Sequence, residues 1–122
     1  MSETAPINPA AIARLHKLGG ASFALKMIEL FISYCGEKVA AARQAQKSGD
    51  WPGVAAAAHP IKSSAGNVGA EKVQDLATRL EQSAKQANAS QVAIELTELE
   101  QAFAAAKIAL ETQRAQPPTP PP

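Results

Sequence analysis

Apolar side chains recur at alternating three- and four-residue steps along most of this chain, in stretches cut short by glycine or asparagine. Ile28, Phe31, Cys35, Val39 and Ala42 form one stripe, Val54, Ala58, Ile61 and Ala65 a second, and Val73, Leu76, Ala77, Leu80 and Ala84 a third. The most regular stripe runs through Val92, Leu96, Leu99, Phe103, Ala106 and Leu110. At 3.6 residues per turn, that spacing gathers each set on one side of a helix. Alanine dominates and only 4% of residues are aromatic, so the helices must meet closely through small side chains. The 122 residues leave room for one core, because a second would need roughly another 100. The expected fold is all-α, an antiparallel four-helix bundle (up-down-up-down) with a short additional helix at the N-terminus.

Local signals place the boundaries. Asn8 followed by Pro9 reads as an N-cap with proline in the first turn, where its missing N–H leaves no bond unmade, and Gly19-Gly20 ends that short helix at Leu18. A long helix covers about 22–47 and stops at Gly49, with Gly36 inside it at a cost of about 1 kcal/mol that packing must offset. Asp50 is placed to cap the next helix, with Trp51 and Pro52 in its first turn, and Gly66-Asn67-Val68-Gly69 closes it. Another helix is expected over about 70–87, broken by Asn88, and Ser90 is expected to cap the last. The domain reading is a flexible N-terminus at 1–6, a helical bundle at 7–114 and a disordered proline-rich tail at 115–122, to which no function is assigned.

Charge and cysteine content exclude several classes. The formal net charge is +1 and no long run of Lys or Arg appears, so a nucleic-acid partner is not expected. Cys35 is the single cysteine, which rules out an internal disulfide and suits a reducing compartment. No secretory signal and no uninterrupted apolar run of about 18 residues is present, so the expectation is a cytoplasmic protein without membrane insertion. Neither His16 nor His59 has a Glu three residues before it, as di-iron bundles require. The lack of a Gly-rich nucleotide loop argues against an autonomous ATP-dependent kinase. No metal or other cofactor is expected in the chain itself.

The chemistry concentrates in His59-Pro60-Ile61-Lys62-Ser63-Ser64-Ala65-Gly66-Asn67-Val68-Gly69-Ala70. The stripe of Val54, Ala58, Ile61 and Ala65 clusters within about 40°, and His59 points about 130° from its centre, toward solvent. Lys62 follows about 4.5 Å along the axis and roughly 60° around, and Ser63 and Gly66 flank the same face. An exposed imidazole beside an ammonium suits phosphoryl transfer, since the ring nitrogen is nucleophilic near neutral pH and the cation can neutralise phosphate oxygens. On spacing alone, a plain surface histidine on an alanine-rich helix is the better account of His59. Pro60 removes the helical hydrogen bond to the Ala56 carbonyl, at a cost of about 3 kcal/mol, and is expected to kink the helix while leaving His59 exposed. Cys35 reads as a small buried hydrophobe and His16 as a surface or helix-end residue.

This segment resembles the His-x-Leu-Lys-Gly-Ser-Ser signature of histidine-containing phosphotransfer (HPt) domains, and Asn67-Val68-Gly69-Ala70 is similar to the family's Asn-hydrophobic-Gly-Ala ending. Leu18-Gly19-Gly20, Ile28-Glu29-Leu30-Phe31, Gly49-Asp50-Trp51 and Leu80-Glu81 also resemble family segments, so the likeness spans about 7–110. The resemblance implies that His59 is the phosphoacceptor, taking a phosphoryl group from a receiver-domain aspartate and passing it to another, and that Lys62 stabilises the phosphate charge. Ser63 stands where the family usually has glycine, Ser64 matches the family serine in a helix-orienting role, and Gly66 supports the site. Ile32 and Tyr34 sit near where family members present an apolar patch for receiver docking. The implied partners are response-regulator receiver domains, with Mg2+ in the receiver, and a sensor histidine kinase. The chain is then a monomeric phosphotransfer intermediate, and whether it counts as an enzyme stays open. The alternative is a non-catalytic helical module that binds receivers or kinases without carrying phosphate, in which His59→Gln leaves binding and output intact.

Overall fold

The computed structural model describes residues 5–115. The proline run at 117–122 and most of the N-terminal segment expected to be flexible lie outside the described residues. Four helices follow in order: α1 (Pro9–Lys47), α2 (Trp51–Asn67), α3 (Glu71–Lys85) and α4 (Ala89–Ala115). Each packs on the next and α4 closes back on α1. Order around the bundle thus follows order along the chain, and the short links at 48–50, 68–70 and 86–88 turn each helix against its predecessor.

α1 contains both the expected short first helix and the long helix after it, divided at one residue. Asn8 caps it by accepting a hydrogen bond from the Ala10 amide, and Gly20 interrupts it with φ 85° and ψ −176°. That region is open essentially to glycine alone, so the chain changes direction between an arm at 9–19 and a longer arm at 21–47. Phe23 folds over Gly19 so closely that a Cβ there would lie 2.5 Å from the ring. Ile12 and Leu15 on the short arm, with Ile7 before it, are buried in the common core.

The four stripes predicted from spacing are buried, with one exception. Phe103 is half-buried, its ring tilted 53° against Phe31 at a centroid distance of 5.6 Å. A Cβ on Gly36 would meet this ring at 3.6 Å, so the glycine lies directly beneath an aromatic side chain of α4. α1 is long and apolar enough in composition to cross a membrane, but here Ile28, Phe31, Cys35 and Val39 on it are buried in the bundle core.

Three helices end in the same turn. The amide of Asp50 donates to the Ala45 carbonyl at 2.9 Å, that of Ala70 to Ala65 at 2.9 Å and that of Asn88 to Ser83 at 3.0 Å. Each bond closes over a residue with positive φ, namely Gly49 (69°), Gly69 (74°) and Ala87 (53°), which is the Schellman arrangement. The closing residue also begins the next helix. Asp50 Oδ1 accepts from the Gly53 amide at 3.0 Å, and Asn88 Oδ1 from the Gln91 amide at 3.2 Å. The expectation that Ser90 caps α4 is therefore corrected: Asn88 does so, because the preceding turn already holds its side chain over the first free amides.

Ala87 is the one described non-glycine residue with positive φ, a conformation that costs a residue with a Cβ about 1–2 kcal/mol. Glycine removes that cost but gains freedom in the unfolded chain. Ala87→Gly is expected to stabilise the bundle by about 0.5–1 kcal/mol, seen as a rise of a few degrees in Tm. A lower Tm would show that the alanine turn carries no strain.

Candidate functional site

α2 holds His59 on its outer side. The helix continues through Pro60 to Asn67, with His59 on its exposed face as expected. The proline leaves the Ala56 carbonyl without its helical donor, but Ala56 is exposed and water can take that place. Val54 and Ala58 before the histidine and Ile61 after it are fully buried and fix the helix's rotation. The His59 side chain is accordingly 67% exposed.

α3 supplies what the sequence reading missed. Gln74 lies opposite Gly66 and Glu81 opposite His59, the antiparallel register in which stepping back along α2 means advancing along α3. Glu81 is 7% exposed, yet its carboxylate meets three donors. Oε2 lies 2.8 Å from His59 Nδ1 and 3.3 Å from Lys85 Nζ, and Oε1 lies 2.6 Å from Lys62 Nζ. The hydrogen bond from Lys62 does most to hold the Glu81 carboxyl down at about 2, with the bonds from His59 and Lys85 adding to it against the opposing effect of burial. Glu81 is thus an anion at any physiological pH and can only accept. Nδ1 must therefore carry the proton in the His59–Glu81 bond, and in the neutral imidazole that tautomer has its lone pair on Nε2. Among the described residues no hydrogen bond engages Nε2.

The remaining site residues fall into two groups. Gly66 acts through the helix contact: Gln74 Nε2 donates to the Lys62 carbonyl at 3.2 Å, and a Cβ on Gly66 would come within 2.7 Å of that nitrogen. Ser63 is exposed one turn beyond His59 on the same face. Ser64 is half-buried and its hydroxyl hydrogen-bonds Cys35 on α1, so it ties α2 to its other neighbour. Burial pushes the Cys35 thiol up to about 11 in spite of that bond, so Cys35 stays a neutral core side chain.

Ile32 and Tyr34, the two expected docking residues, lie on different sides of α1. The two are about 160° apart on α1, and of them only Tyr34 reaches the groove between α1 and α2. That open groove of about 230 Å³ is lined by Met27, Leu30, Phe31 and Tyr34 from one helix and by Ser64, Asn67 and Val68 from the other stretch. Leu30 and Tyr34 are exposed, and Lys38 Nζ stands 5.4 Å from the centre of the Tyr34 ring. Ile32 is half-buried and packs against the core. Met27 and Leu30 could have been found from spacing, since Met27, Leu30 and Tyr34 follow one another at three- and four-residue steps. A larger open cleft between α3 and α4, about 650 Å³ and lined by Leu76 and Ala102 among charged side chains, includes none of these site residues.

Residues 26–112 match the model of the Hpt domain family. Among solved structures, the fold is similar to the crystal structure of histidine-containing phosphotransfer protein B from Pseudomonas aeruginosa PAO1, with a TM-score of 0.86. That likeness covers 93% of this chain and 97% of the other at 19% sequence identity. No curated protein matches the chain.

Proposed function

The chain belongs to the Hpt domain family, the histidine phosphotransfer proteins of phosphorelays, and from that premise we propose that His59 Nε2 is the atom that carries the phosphoryl group. The observation that carries this reading is the exposed imidazole whose Nδ1 is held at 2.8 Å by a buried carboxylate. The Nε2 lone pair attacks the phosphorus of a receiver's aspartyl phosphate. An N–P bond forms as the P–O bond to the aspartate breaks, and the aspartate leaves as a carboxylate with the bonding electrons.

The ring, then substituted at Nε2 and protonated at Nδ1, carries a positive charge, which Glu81 offsets without taking the proton, as the buried aspartate does in a serine-protease triad. Onward transfer runs the other way. The carboxylate of a second receiver attacks the phosphorus, and the N–P electrons return to Nε2. The cationic ring is the better leaving group, so the same contact serves both directions.

Lys62 supplies a cation one helical turn from His59, and the exposed Ser63 leaves room for a receiver to approach. Met27, Leu30 and Tyr34 offer the neighbouring apolar surface for docking. We read the protein as a monomeric, cytoplasmic carrier between receiver domains and a sensor histidine kinase, with Mg2+ bound in the receiver and none of the nucleotide chemistry in this chain.

The test is phosphoryl transfer from an aspartate-phosphorylated receiver, followed by a chemical assay of the product. An acid-labile, alkali-stable phosphate on the chain, with a phosphorus-coupled Nε2 signal by NMR, is the expected result. Stable binding of receivers without any transferred phosphate would instead leave a docking module. Glu81→Gln should keep an acceptor for Nδ1–H but remove the charge, slowing transfer roughly tenfold, or about 1.4 kcal/mol. It should also alter acid stability. The folded-state pKa of about 2 lies below the ordinary 4.5, so ionised Glu81 stabilises the fold above about pH 4.5 and that contribution is lost as pH falls toward 2. Denaturant titrations across that window should show a shallower loss in Glu81→Gln than in wild type.

A further inference from the structure

Glu81 has one more cation than its own charge requires. Lys62 from α2 approaches Oε1 at 2.6 Å, and Lys85 from α3 approaches Oε2 at 3.3 Å, one turn beyond Glu81 on the same helix. The two lysines differ in setting: Lys62 is the closer and less exposed, at 30%, and Lys85 is 60% exposed. Lys85 alone could be an ordinary i,i+4 surface pair, with glutamate on the favourable N-terminal side. Its partner, though, is the buried carboxylate that holds the His59 ring.

That sharing bears on how Lys62 can act. An ammonium that turns toward oxygens of a phosphoryl group on the outward Nε2 loosens its 2.6 Å contact with Glu81 Oε1. Its departure alone would strip a buried anion of its shortest charged contact, and an uncompensated buried charge is strongly unfavourable. A mostly exposed lysine already within 3.3 Å can close on the carboxylate instead. We propose that Lys85 is a positioning residue for phosphotransfer, a reserve cation that keeps Glu81 paired and bonded to His59 Nδ1 while Lys62 moves from Glu81 to the phosphoryl group. This rests on the assignment of His59 as phosphoacceptor.

The experiment uses the full chain and phosphoramidate, a small donor that phosphorylates histidine without a docking partner, alongside transfer from a phosphorylated receiver. Wild type, Lys85→Met, Lys85→Arg, Lys62→Ala and the double variant Lys62→Ala/Lys85→Met are compared, with the His59 ring nitrogens followed by 15N NMR. Lys85→Met is expected to be phosphorylated about three- to tenfold more slowly by both donors, and Lys85→Arg to recover most of the rate. With Lys62→Ala already in place, Lys85→Met should slow the reaction by less than twofold, because no lysine remains to be released. The unphosphorylated Lys85→Met protein should keep the proton on Nδ1, since Lys62 still holds Glu81.

A wild-type rate in Lys85→Met, or an equal loss with and without Lys62, would overturn the role of Lys85 while leaving His59 as acceptor. So would a slowing seen only with the receiver, which would make Lys85 a docking contact. Failure of wild type itself to acquire phosphate on His59 from either donor would refute the underlying assignment instead.

Discussion

His59→Gln is expected to abolish phosphate uptake from a receiver altogether while leaving the bundle folded. Glutamine offers no nitrogen with a free lone pair, so the N–P bond cannot form and the loss is of kind, not degree. The bundle should be indifferent. The His59 side chain is 67% exposed, so little apolar area is returned to water, and an ion-pair contact this open contributes at most about 1 kcal/mol. Glu81 keeps Lys62 and Lys85 and is not left as a bare buried charge. Phosphate-affinity gels with a phosphorylated receiver, paired with a thermal melt, decide the matter. Residual acid-labile phosphate on the variant would point to His16, the other histidine of the chain.

Gly69→Ala should be the most damaging of the stability variants considered. Gly69 joins α2 to α3 with φ 74°, where a Cβ costs about 1–2 kcal/mol before any contact is counted. Contacts then add to it. The new methyl would lie 2.7 Å from the Asn8 carbonyl oxygen and 2.7 Å from Ala11 Cβ, and backbone cannot swing aside as a side chain tip can. The Asn8 amide also donates to the Gly69 carbonyl at 2.8 Å, so relief of the clash stretches that bond and lifts the short arm of α1 from the core. Together these should cost about 3–5 kcal/mol, a large share of the roughly 5–15 kcal/mol that keeps a domain folded. Chemical denaturation would measure it. Gly49→Ala is the control, because it shares the positive φ but a Cβ there meets nothing within 4 Å; it should lose only the conformational part. Equal losses in the two variants would show that the Asn8 contact contributes nothing.

The site was legible in part. The outward direction of His59 follows from helical rotation relative to Val54, Ala58, Ile61 and Ala65, which needs no knowledge of other helices. Glu81 escaped because nothing within its own segment links it to His59, although a carboxylate four residues after Ala77 on a core stripe was a signal that it needed a partner. The spacing of Lys62 from His59 predicts an ammonium beside the phosphate, and in the unphosphorylated protein it rests on Glu81 at 2.6 Å. Ile32 and Tyr34 both follow from the family resemblance as docking candidates, but two steps along a helix place them about 160° apart, on different sides.

Helix content, stripe positions, the glycine turns and the exposure of one histidine were determined by the sequence alone, because each depends on backbone geometry and spacing within a single segment. Tertiary structure decided which ring nitrogen is free, where Lys62 rests, and how Gly66 and Gly69 are used. Those outcomes depend on the register of α2 against α3 and on the seat of the short α1 arm. Register is set when buried side chains from segments far apart in the chain interlock, and it brings Glu81 to His59, Gln74 to Gly66 and Asn8 to Gly69 together.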